Sequence, residues 1–228
     1  FYWAKTEAGL PWVGNISVLN GADIWWPCKD HPSDEPDSMA INIRVDNRLK
    51  VAANGKLRGI THHNDNTNTY RWFVSTPINN YSVTMNIAPY IQIDTTFYSV
   101  SGESFPFSFW AIPEHYKAAR NQFPHFVENM KFLEQLLGPY PFRIDKYGSA
   151  ETYYLGMENQ SIIAYGSTFE LNEWGFDNLH FHELTHEWFA NLVTARDWRH
   201  WWVHEGITSY IVSLYAEYLS GGKEETYL

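Results

Sequence analysis

The chain has 228 residues, 44% hydrophobic and 18% charged, which excludes a disordered tail or a charged coiled coil and leaves room for one large domain or two small ones. Lys and Arg number 16 against 26 Asp and Glu, a formal charge of −10, so nucleic-acid binding is not expected and cationic ligands, such as peptides with a free amino terminus, are favoured. No apolar run approaches the ~18 residues of a membrane helix, the opening FYWAKTEAGLPW has no signal-peptide pattern, and the lone Cys28 permits neither an internal disulfide nor a thiolate metal site.

Up to Pro113 the pattern is that of short strands. INIRVD (Ile41 to Asp46) alternates apolar and polar residues. LKVAANGKL (Leu49 to Leu57) carries Asn54-Gly55, the strongest short hairpin signal in the chain. Tyr70 to Val74, Tyr81 to Ile87 and Phe107 to Ile112 are further strand candidates. Between them DHPSDEPD (Asp30 to Asp37) reads as a solvated loop, and the His62-His63 pair as part of a polar turn. An antiparallel β-rich region over 1–112 is expected.

After Pro113 helices dominate. PEHYKAARNQF and HFVENMKFLEQLLG are separated by Pro124, which is expected to start or kink the second of them. Phe126, Met130, Leu133 and Leu137 share one face of that helix, and Gly138-Pro139 ends it. Short strands are expected near Tyr147 to Tyr153 and Ser161 to Ala164, then a helix from about Asn178 to Ala195 with Asp177 as N-cap. A last helix runs from about His204 to Ser220, ended by Gly221-Gly222. The fold class expected is α+β, with 113–228 as a mainly helical second domain.

Residues 182–186 read HELTH. On a helix, positions i and i+4 share a face, so His182 and His186 can grip one zinc ion through ring nitrogens. Glu183 is rotated about 100° from His182. It can reach a water on the metal, the general-base position of a metallopeptidase. A catalytic zinc needs a third protein ligand and an open position. Glu205, after 18 intervening residues and at the start of the next apolar helix, can be folded back over the histidines by a helix hairpin. Phe189 and Leu192 stand where a metzincin would have Gly and His, which excludes that class. Upstream, LGMENQSIIAYG (Leu155 to Gly166) reads by itself as a strand end with a carboxylate.

Together HELTH, the later Glu and MEN 25 residues upstream resemble the aminopeptidase N family of zinc metallopeptidases. IWWPCKDHPSDEPDS resembles that family's N-terminal signature and NGKL its following hairpin, so the resemblance covers nearly the whole chain. It implies a thermolysin-like catalytic domain with one Zn2+ on His182, His186 and Glu205. Glu183 would polarise the attacking water and pass its proton to the leaving amine. Glu158 would hold the substrate's free α-amino group, and Gly156 and Met157 would form an edge strand pairing with the substrate backbone. The activity implied is release of N-terminal residues from peptides. A zinc endopeptidase and a non-catalytic peptide-binding chain that retains zinc are the alternatives.

Three positions depart from the family pattern. Leu155 replaces a usual Gly, His204 a usual Asn before the third ligand, and Ala190 stands where Gly is common, a mild change. The family also places an oxyanion-stabilising Tyr several tens of residues beyond the third ligand, and only 23 residues follow Glu205. A fragment of a longer enzyme is therefore expected, soluble, cytoplasmic or exported to the periplasm, its oligomeric state open.

Overall fold

A computed structural model describes residues 1–17, 21–166 and 168–222. The first part is antiparallel. Strands β1 (Tyr2–Lys5), β2 (Pro11–Gly14), β4 (Lys50–Ala53) and β7 (Met85–Ala88) form a sheet in the order β1-β2-β7-β4. Strands β3 (Met39–Asp46), β5 (Lys56–His62) and β6 (Thr67–Val74) form a second, with β6 central. The alternation read in INIRVD is realised in β3, where Ile41 pairs with Trp72 and Ile43 with Tyr70, apolar cross-strand contacts of the kind that stabilise sheets.

The Asn54-Gly55 signal marks a turn but not a hairpin. Strand β4 pairs with β7, and β5 with β6, so the turn hands the chain from one sheet to another. Its residues serve distant partners instead. Asn54 Nδ2 donates to the carbonyls of Ser82 (2.9 Å) and Gln160 (2.7 Å), and its Oδ1 accepts from Thr84 N (2.6 Å). Gly55 has φ +76°, and a Cβ there would stand 2.2 Å from the Phe73 carbonyl oxygen, so glycine is required.

The third sheet is mixed. Its order is β11-β12-β10-β9-β8, from β8 (Ile91–Tyr98), β9 (Ser104–Ala111), β10 (Tyr147–Glu151), β11 (Gly156–Met157) and β12 (Ile163–Tyr165). Strands β9 and β10 run parallel, which demands a crossover, and helix α1 (Tyr116–Leu137) supplies it. Ala119, Phe123, Phe126, Met130 and Leu133 recur at helical spacing on its buried face. Contrary to the expectation from Pro124, α1 is one continuous helix. Pro124 lies on the exposed face, where water can serve the carbonyl left without its amide partner, while Phe123 and Phe126 on either side are both held in the core.

Aromatic rings build that core. Phe107, Phe109, Phe126, Tyr147, Tyr165 and Phe181 are fully buried between the mixed sheet, α1 and helix α2 (Asn178–Thr185). After α2 the chain passes through an irregular turn, Glu187–Leu192, and reaches helix α3 (Trp202–Ser220). Gly221, at φ 73°, ends α3 as expected. Strands β1, β2 and β8 lacked a sequence signal strong enough to be expected. Among the described residues no helix is long and apolar enough to cross a membrane.

Candidate metal centre

Helix α2 is started by Asp177, whose Oδ1 accepts from His180 N at 3.0 Å, the cap read from the sequence. From that start His182 and His186 emerge on one face, and their Nε2 atoms converge to 3.1 Å. Glu205, on the first turn of α3, brings Oε2 to 3.3 Å from His182 Nε2 and 3.7 Å from His186 Nε2. Ligand atoms ~2.0–2.1 Å from a tetrahedral ion are separated from each other by about 3.3 Å. The two imidazoles and the carboxylate therefore fit one divalent cation in spacing and donor chemistry, and a fourth position remains for a non-protein ligand.

The His186 ring is aimed by a kink just beyond it, where the helix ceases to be regular. Asn191 N bonds to His186 O and Val193 N to Trp188 O, five-residue spacings, with Phe189 (φ −114°, ψ 78°) and Ala190 (φ 159°, ψ −56°) outside helical geometry. The kink turns the Phe189 carbonyl onto His186 Nδ1 at 3.0 Å, and Thr208 Oγ1 lies 3.1 Å from the same nitrogen. A carbonyl can only accept, so Nδ1 carries the proton and Nε2 presents its lone pair toward Glu205 and His182.

The charges around the centre favour a cation. Glu205 is held far below the usual carboxylate range, first by its hydrogen bonds to His182 and His186. Burial disfavours a charged His186, but the Glu205 hydrogen bond and the carboxylates of Glu158 and Glu183 outweigh it and lift the ring to about 9. Glu183 is pushed up to about 8 by burial and by the neighbouring Glu158 charge. A carboxyl so raised is suited to exchanging protons near neutrality.

Gly156 and Met157 form β11, the edge strand of the mixed sheet, pairing among the described residues with Tyr165 and Ala164 on one side only. A Cβ on Gly156 would stand 2.4 Å from Glu183 Oε1, so a side chain there would push that carboxylate from its place against the strand. Glu158 comes directly after and is 5% exposed. Its carbonyl is tied to Asn191 Nδ2 (2.8 Å), while among the described residues its Oε1 has no hydrogen-bond partner. A buried carboxylate oxygen without a partner is costly, and it stands out in an otherwise satisfied region. A cavity of about 460 Å³ opens next to Glu183, lined by Leu155, Asn178, Leu179 and His182.

All seven residues singled out from the sequence thus meet in one region. Reading the sequence missed their supports. Thr208 sits one helical turn beyond Glu205, a spacing that could have flagged it. Ser82, whose hydroxyl meets the Glu158 carbonyl, and the Phe189 carbonyl gave no local signal.

A two-histidine, one-carboxylate centre with a glutamate beside it, set against the edge of a mixed sheet, is the donor arrangement that an HExxH helix presents to a metal ion. Residues 122–227 match the peptidase family M1 domain. Leucine aminopeptidase 2 of Vanderwaltozyma polyspora is 28% identical over 211 residues, covering 91% of this chain and 30% of the relative. Aminopeptidase B of Rattus norvegicus is 28% identical over 200 residues, covering 85% and 28%. In fold, the chain is similar to the M1 zinc metallopeptidase from Deinococcus radiodurans, with a TM-score of 0.76 at 24% identity over 97% of this chain and 48% of that one. The match to that family covers just under half of the chain, which spans about 30% of the length of the curated relatives it matches.

Proposed function

We propose that the chain carries the zinc half-site of an aminopeptidase, with one Zn2+ on His182, His186 and Glu205. The observation that carries this reading is the convergence of the three ligand atoms within 3.1–3.7 Å, with the unpartnered Glu158 oxygen just beyond the adjoining strand. Zinc bound there supplies Lewis acidity, which acidifies a water and polarises the scissile carbonyl. Glu183 takes the proton of the attacking water and delivers it to the departing amine nitrogen. Its elevated pKa favours both halves of that transfer. Glu158 receives the substrate ammonium group, and the free edge of Gly156–Met157 pairs with the substrate backbone.

Amino-terminal selectivity arises from the cost of burying an unpaired carboxylate. An internal peptide segment brings no ammonium to Glu158, so it forgoes that charge-assisted bond. Hydrolysis of an unblocked peptide and its N-acetyl form provides the test. Strong preference for the unblocked peptide is expected; equal cleavage would make the chain an endopeptidase. Stoichiometric zinc and peptide binding without turnover, in this chain and in any longer polypeptide containing it, would leave a binding module.

A further inference from the structure

Where the three sheets meet, strands β4, β5, β6, β8 and β9 border a cavity of about 350 Å³. It shares no lining residue with the cavity beside Glu183. Its walls are largely apolar. Trp72 and Trp110 are buried and stand edge to face, with ring centroids 6.2 Å apart. Leu57 and Ile60, from β5, line the same space and stay 38% and 39% exposed although both are apolar.

Three lysines line it as well: Lys50 and Lys56, the first residues of β4 and β5, and Lys146, just before β10. Lys50 and Lys56 are exposed, and among the described residues neither enters an ion pair. Among the described residues no Asp or Glu lines the cavity. The adjoining carboxylate, Asp94, is taken up by two residues of the wall, accepting from Gln92 Nε2 (2.7 Å) and Ser108 Oγ (2.6 Å). Lys146 is buried. Its amine donates to the Ser161 carbonyl at 2.6 Å and lies over the rings of Trp72 (5.3 Å) and Trp110 (5.7 Å). Burial brings it down to about 7, so an anion entering the cavity would favour its charged form.

A concave apolar wall takes a ring or alkyl chain out of water, and amines at its border pair with a carboxylate. In a chain of formal charge −10, an apolar cavity bordered by amines and by no acid selects by sign. We propose that this cavity binds a small organic monocarboxylate, its ring or alkyl body against Trp72, Trp110 and Ile60 and its carboxylate on Lys50 and Lys56. The site is separate from the metal centre and stands independently of how that centre is read.

The test uses the metal-free chain, titrated calorimetrically with phenylbutyrate, octanoate and the uncharged phenylbutyramide. Single-site binding of at least one acid is expected, with the amide at least about tenfold weaker than phenylbutyrate where the body is an aryl group. If octanoate alone binds, the body is an alkyl chain, and octanamide replaces the aryl amide as the uncharged control. Lys50→Met combined with Lys56→Met should bring the acid down to the level of its amide and leave the amide unchanged. Ile60→Trp, which fills the space between the walls, should abolish binding of both. Zinc content of the reloaded variants is expected to be unchanged, which shows that the fold survives. Equal affinity for acid and amide, an acid preference that persists in the double lysine variant, or failure of both acids to bind at millimolar concentration overturns the proposal.

Discussion

Helix α2 carries buried histidines on two faces, and the contrast between them separates structure from function. On the back, His180 is saturated. Asn129 Nδ2 reaches its Nδ1 at 2.9 Å, Tyr147 Oη its Nε2 at 2.8 Å, and Phe126 stacks on the ring at 3.5 Å. Burial drives its pKa far below the ordinary value, so it is a neutral core residue. On the front, His186 has its Nδ1 fully engaged, but its Nε2 faces another imidazole nitrogen and a carboxylate. Both rings are buried; only the front one lacks a neutral partner set, and that deficit is what a metal ion satisfies.

The sharpest way to break this contrast is to remove one ring from each face. His186→Ala should weaken zinc binding by well over the ~10–100-fold typical of losing an outer support, read by competition with a chelating dye. His180→Ala should leave zinc affinity within about threefold. It should cost about 3 kcal/mol of stability by opening a cavity and stranding Tyr147 Oη, seen as a fall of ~6–12 °C in the thermal midpoint. If His180→Ala abolished zinc binding while the fold survived, the division of labour would be wrong. Between these lies Thr208→Val, which takes one partner from His186 Nδ1; about a tenfold weakening of zinc is expected, and an unchanged dissociation constant would leave the Phe189 carbonyl as the sole orienting group.

The front face was legible because its logic is local. HELTH fixes two side chains on one helical face, Asp177 caps the same helix, and Glu205 opens the next. The alternation in INIRVD likewise announced β3. The failures share a cause as well. Asn54-Gly55 serves partners more than 25 residues away instead of a hairpin, and Pro124 is tolerated because both flanking aromatics are buried by tertiary packing. Ser82 reaches the Glu158 carbonyl only through sheet topology. Non-local partners leave no periodicity for a sequence to display.

A pH measurement sharpens the contrast further along the same turn. Burial pushes Glu187 up to about 8, although Ser161 N, Asn191 and Tyr140 donate to it. The folded state therefore holds this proton more tightly than the unfolded chain, whose value is near 4.5. Its contribution is full below that value and is lost as pH rises through 8. In metal-free protein, Glu187→Gln should flatten the decline of stability between pH 5 and 8. Lys146, depressed to about 7 by its own burial and partly held up by the Glu187 charge, contributes with the opposite sign, so the comparison is made in a Lys146→Met background. Parallel stability curves would remove Glu187 from the account.

The smallest effect concerns the kink itself. Reading the sequence treats Ala190, where Gly is common, as a mild change, but its backbone (φ 159°, ψ −56°) is neither helical nor extended nor left-handed helical. Such a conformation costs a non-glycine residue about 1–3 kcal/mol, and here the upper part of that range applies because the residue is also fully buried and cannot relax outward. Ala190→Gly relieves the strain. It loses ~0.5–1 kcal/mol to the greater freedom of glycine in the unfolded chain, and about 0.8 kcal/mol with the buried methyl group. A net gain of about 1 kcal/mol is expected, or ~2–4 °C in the thermal midpoint. Zinc affinity should not change, since the Phe189 carbonyl keeps its place on His186 Nδ1. A lower midpoint would mean that the kink is held without strain, and that alanine belongs there for its packing.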